Sequence, residues 1–171
     1  MKLSAILCIT VLAAAAPAVA QDNPYLPAAK QTLGMIKGNI VKAAEQMPEE
    51  HYGFKPTADV RSFGELIGHV ANANYMICSR ATGAENPNKA NIEKTVTAKA
   101  ELTKAVSESF AFCEAQFDAL GAKGTETMDL FGMKMPRFNV LYFNTIHDME
   151  HYGNIVTYMR LKGLVPPSSQ R

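Results

Sequence analysis

Four apolar stripes, each repeating at three-to-four-residue spacing, limit this chain to a packing of helices. The first runs Leu33, Ile36, Ile40, Ala44, Met47 within a helix expected over roughly 24–47, with Asn23-Pro24 as its start and Pro48 as its stop. The second holds Leu66, His69, Val70, Ala73, Met76 and Ile77. It opens on Ser62-Phe-Gly-Glu65, the spacing of a capping box in which serine and glutamate satisfy each other's amides. The third, Leu102, Val106, Phe110, Cys113, Phe117, Leu120, predicts a helix over about 95–120, closed by Gly121. The fourth, Val140, Phe143, His147, His151, Ile155, Tyr158, predicts a helix from about Pro136 to Leu161, stopped by Gly163 and Pro166-Pro167. Gly53 and Pro56 mark a connector after the first helix, expected to be pinned on the helix ends by Tyr52 and Phe54. Residues 121–135 read as a loop with room for a short hairpin at Phe131-Gly132.

The N-terminus reads as an address rather than as part of the fold. Lys2 is followed by an apolar run from Leu3 to Ala16, then Ala18-Val19-Ala20, the small-x-small pattern of a signal peptidase site. Residues 1–20 are therefore expected to be cleaved and 21–171 to form a single domain, exported to the periplasm or beyond the cell. The run is shorter than the roughly 20 apolar residues that span a bilayer, and no membrane attachment is expected after cleavage. The whole chain carries 17 bases and 16 acids, so loss of Lys2 leaves the two in balance. With no basic block, nucleic acid is not an expected partner. Cys78 and Cys113 remain, both on apolar faces. Export permits a disulfide between them, and two buried thiols are the alternative. Apolar helix faces leave room for a homodimer.

The chemistry lies in the histidines, of which the chain has 4. His147 and His151 stand four apart, about 6 Å along a helix and on one face. Two imidazoles so placed can share a divalent ion at about 2.0–2.1 Å, with His69 from the second helix as a third ligand. Three histidines leave a coordination position open, as catalytic sites do. All three fall on core-facing stripes, where an unpaired imidazole costs free energy and a shared ion satisfies them together. The zinc-protease motif does not fit, because Asp148 follows the first histidine and the glutamate, Glu150, stands beside the second. Glu150 is a candidate for orienting an imidazole, whereas Asp148 is expected to be solvated. Asn144 and Tyr158 share the histidine stripe and are candidates to face a substrate or each other. His51 is expected to be an exposed loop residue.

Phe54-Lys-Pro-Thr57 with Arg61-Ser-Phe-Gly-Glu-Leu-Ile-Gly-His69, and His147-Asp-Met-Glu-His151-Tyr-Gly-Asn154 with Tyr158-Met-Arg-Leu-Lys-Gly163 and Pro166-Pro-Ser-Ser169, resemble the two signatures of the DinB-like family, over essentially residues 24–169. The resemblance implies a four-helix bundle of up-down-down-up topology. It also implies one divalent metal, zinc or nickel, on His69, His147 and His151. Some members of that family transfer or isomerise groups with low-molecular-weight thiols. This chain departs from the family's His-Arg-Gly-Gln at Tyr152 and Asn154, and an oxidising compartment does not suit thiol transfer. The expected function is a metal-dependent hydrolase or transferase acting on a small molecule, the alternatives being a non-catalytic metal- or ligand-binding module and a purely structural bundle.

Overall fold

The computed structural model describes residues 24–170, and the export signal read at residues 1–20 lies outside them, as does Asn23. The chain is mostly helical: α1 Leu26–Gln46, α2 Phe63–Thr82, a short α3 Ile92–Thr95, α4 Lys99–Leu120 and α5 Arg137–Leu161. A hairpin, β1 Thr127–Leu130 and β2 Met133–Pro136, joins α4 to α5. Each long helix packs on two others in a ring, α1 on α4, α4 on α2, α2 on α5 and α5 on α1.

Helix ends follow local chemistry. α1 starts at Leu26 with Pro27 in its first turn, where a missing N–H costs nothing, and Met47 turns extended before Pro48. In α2 the capping box forms: Glu65 N donates to Ser62 Oγ at 3.2 Å and Ser62 N to Glu65 Oε2 at 2.7 Å. Gly83 closes α2 in the left-handed region at φ 78°. The third helix begins at Lys99 rather than 95, because Val96 and Ala98 are extended after the single turn of α3. The hairpin turns on Phe131 and Gly132, both at positive φ, as a two-residue loop requires. Tyr52 and Phe54 do pin the connector. Tyr52 Oη donates to Ala44 O at 2.6 Å, and the Phe54 ring stands edge-on to Tyr158.

The capping glutamate gives the fold a pH dependence. The Ser62 amide and the Lys55 ammonium hold Glu65 down at about 2, from an ordinary 4.5. A carboxylate lowered in the folded state stabilises fully above 4.5, and that contribution is lost as pH falls from 4.5 through 2. Glu65→Gln is expected to lower the melting temperature at neutral pH and to converge on the wild type at the acid end, flattening the profile in that window. An unaltered acid limb contradicts it.

α2 is buried on almost every side, its core residues including Phe63, Ile67, Val70, Ala71 and Cys78. Cys78 and Cys113 form a disulfide between α2 and α4, and both residues are fully buried. The alternative of two free thiols is therefore set aside.

Candidate metal centre

His69 comes from α2, and His147 and His151 from α5 one turn apart. The ring of packed helices turns all three inward to one point. His147 Nε2 lies 3.3 Å from His69 Nε2 and 3.0 Å from His151 Nε2. The ligand nitrogens of the three all fall within 4.8 Å of one another. His147 Nε2 thus stands between two imidazole nitrogens while it can donate at most one proton. A tetrahedral ion with bonds of about 2.05 Å spaces its nitrogens by about 3.3 Å, and needs them unprotonated. The donor set fits such an ion, as do the two spacings at His147 Nε2.

The electrostatics point the same way. Burial pushes the His151 imidazole down to about 3 from 6.5, with His147, His69 and Arg61 adding to the effect. Burial and the Arg61 charge likewise lower His69. Both are therefore neutral at neutral pH, the state that binds metal.

Two carboxylates flank the histidines. Glu93, on α3, accepts from His69 Nδ1 at 3.1 Å and from Arg61 Nε at 3.0 Å. Burial alone would raise Glu93, but its bonds to Arg61 and His69 outweigh that and hold it below the ordinary carboxylate range. This bond fixes the His69 proton on Nδ1 and leaves Nε2 for a ligand. Asp148 is the second. The sequence suggested a solvated side chain, yet it is fully buried. Its helical angle explains why. Asn144, Asp148, His151 and Ile155 fall within an arc of about 60°, so Asp148 belongs to the inward stripe. Asn144 Nδ2 donates to Asp148 Oδ2 at 3.1 Å, and the Asn74 amide lies 3.1 Å from both carboxylate oxygens, donating when its nitrogen is turned that way. Burial raises Asp148 to about 6 from 3.8, opposed by His147. Among the described residues no lysine or arginine pairs with it; the nearest charge partner is His147 Nδ1, 4.0 Å from Oδ1. That Nδ1 is buried and has no hydrogen-bond partner. A buried carboxylate facing an unpaired imidazole nitrogen is an arrangement that positive charge on the far side of the ring would stabilise.

The remaining sequence candidates separate. Asn144 is fully buried beneath the histidines, bonded to Asp148 and Asn74 rather than to Tyr158. Tyr158 lines a cavity of about 600 Å³ together with His151, and its hydroxyl donates to Arg61 O at 2.6 Å. Glu150 is exposed, and Glu93 is the glutamate bonded to a histidine of the cluster. His51 is half-buried in a single 3-10 turn, Glu49–His51, apart from the cluster.

Glu93 reaches His69 because Gly68 has no side chain. A Cβ at Gly68 would lie 2.8 Å from Glu93 Cα and 2.9 Å from Glu93 N. Asn72, one turn along α2, ties the same segment down, accepting from Ile92 N at 3.1 Å and donating to Asn91 Oδ1 at 2.9 Å. Gly68→Ala must displace α3 and Glu93 with it. It is expected to cost about 1–3 kcal/mol and to weaken ion binding by about tenfold. Equal zinc affinity in wild type and variant, measured by competition with a chromophoric chelator, would remove Glu93 from the site.

A sequence model described as the DinB superfamily matches residues 37–155. Protein YjoA of Bacillus subtilis (strain 168), itself described as uncharacterized, is 25% identical over 122 residues, covering 70% of this chain and 79% of that protein. The crystal structure of that DinB-like protein aligns with a TM-score of 0.66 at 22% identity, over 84% of this chain and 99% of that one. A DinB-like protein from Bacillus cereus ATCC 10987 aligns with a TM-score of 0.71 at 19% identity, over 87% of this chain and 98% of its own. At these identities the structural likeness speaks for the fold.

Proposed function

From the premise that the chain belongs to the DinB superfamily, we propose that it is an exported protein whose His69, His147 and His151 hold one divalent ion, zinc or nickel, for hydrolysis or group transfer on a small molecule. The observation that carries this is His147 Nε2, set 3.3 and 3.0 Å from the other two imidazoles with a buried carboxylate behind its ring. The bound ion would act as a Lewis acid, or lower the pKa of what it binds. The chain's own residues do the rest. Glu93 keeps the His69 proton on Nδ1, and Asp148 stands where it favours the His147 proton on Nδ1. His151 opens onto the cavity that would receive the substrate, beside Tyr158 and Asn154.

The bundle is taken as up-down-down-up. In support, Asn74 meets Ser109, Cys78 meets Cys113 and Thr82 meets Gln116, a nearly even offset of the kind parallel α2 and α4 give. Lys37 with Glu114 and Lys30 with Asp118 run the opposite way, making α1 and α4 antiparallel. Asn74 with Asn144 and Ala81 with Arg137 do the same for α2 and α5. The long connection carrying α3 is what parallel neighbours need. Export is supported by the disulfide, which persists in oxidising compartments. A homodimer remains part of the proposal.

A non-catalytic binding module is the second reading, favoured by one feature. Of the three acids lining the cavity, Glu65 and Glu93 are held by cations and Asp59 is exposed, so among the described residues none is placed as a free general base on the histidines. The test is a panel of esters, amides and electrophiles assayed with ion-loaded and chelator-stripped protein. Turnover only when loaded supports the enzyme; turnover that survives metal loss sinks the mechanism, and tight ion binding with no turnover favours the module.

A further inference from the structure

The cavity beside His151 carries a charge pattern that selects its ligand. Its walls bring Lys55, Arg61 and Lys94 against Asp59, Glu65 and Glu93, in equal number. The acids that face inward are already engaged. Glu65 accepts from the Ser62 amide and pairs with Lys55 at 3.1 Å. Glu93 is shared among His69, Arg61 and Lys94. Asp59 is exposed at the rim, where water screens it. Arg61 gives Nε to Glu93, and among the described residues its two terminal nitrogens have no partner, which leaves their donors for a ligand. Lys94, 3.4 Å from Glu93 Oε1, is 62% exposed and lines the same opening. A divalent ion coordinated by imidazole nitrogens would make the balanced cavity doubly positive.

We propose that this cavity binds a small dianion, of which a dicarboxylate is the simplest case, with one anionic group toward the ion and the other on the Arg61 guanidinium and Lys94. The proposal rests on the three-histidine ion site. A guanidinium fork matches a carboxylate edge to edge, and the charge of such a ligand cancels that of the ion. About 600 Å³ accommodates a metabolite of a few carbons and excludes a folded partner. Tyr158 Oη, already donating to Arg61 O, and Asn154 add polar groups along the α5 wall.

The test uses the full mature protein loaded with cobalt(II), whose visible absorption reports ligands at the ion. Succinate and butyrate, alike except for the second carboxylate, are titrated separately. Succinate is expected to bind at least about tenfold more tightly, as for one charge-assisted bond to a partly solvated cation. That advantage should collapse in Arg61→Gln and shrink in Lys94→Gln. The second variant leaves the Arg61–Glu93 pair intact, so it stays informative if the first loosens the ion. Cobalt bound at one per chain with equal succinate and butyrate affinity overturns the dianion and leaves the ion site standing. An advantage that survives in both variants also overturns it. No cobalt binding at all overturns the ion site and this inference with it.

Discussion

Cys78→Ala combined with Cys113→Ala is expected to lower the melting temperature by about 10 °C. The bridge spans 35 residues of chain, including the whole α2–α4 connection. Closing a loop of that length removes unfolded-state entropy equivalent to about 3–4 kcal/mol. For a domain of this size each kcal/mol moves the midpoint by about 2–4 °C. The disulfide also sits directly below the polar cluster, where Asn144 Nδ2 approaches Cys113 Sγ at 3.7 Å. Both cysteines are fully buried, so a mild reductant should leave the bridge intact in the folded protein and act through the unfolded chain, drawing the melting midpoint toward that of the double variant. A calorimetric midpoint within about 2 °C of wild type in the double variant would show that α2 and α4 hold their register without the bridge.

His147→Ala is expected to have the largest effect on the ion. His147 is the central member of the cluster, the one nitrogen in contact with both others. Its loss leaves two ligands on separate helices, and affinity should fall by more than about a hundredfold, the upper end of what losing an outer partner costs. The variant also strips Asp148 of its charge partner at 4.0 Å. Asp148 is then a buried carboxylate among amides alone, and such groups neutralise rather than stay charged. His147→Ala with Asp148→Asn should therefore recover stability relative to His147→Ala while metal binding stays lost. Chemical denaturation and zinc competition on the same pair of proteins separate the two effects, and zinc affinity unchanged by His147→Ala would overturn the ligand assignment.

Much of this architecture is readable from the chain. The capping box at Ser62 and Glu65 forms as its spacing requires, because both partners lie within one turn. The i, i+4 pair His147 and His151 converges for the same local reason. Bringing His69 to it needs the packing of α2 on α5, and the apolar stripes carry that information because each histidine sits among the buried residues of its helix. Asp148 was legible in principle, since it shares an inward arc with Asn144 and Ile155. Its charge argued for solvent more strongly than its position argued for burial. Glu93 had no local signal. It lies on a linker 24 residues beyond His69, and only the close approach over Gly68 makes it a neighbour. Arg61 is likewise joined to the site through Glu93, a contact that no periodicity encodes. Long-range polar contacts through a short, irregular segment depend on backbone placement rather than on pattern.

The most direct measurement is the metal content of the purified mature protein by elemental mass spectrometry, as isolated and after incubation with zinc or nickel followed by desalting. About one ion per chain is expected, bound at three histidines as in an open site. No ion retained under either condition would contradict it, leaving a helical bundle in which three imidazoles and Asp148 satisfy one another unaided.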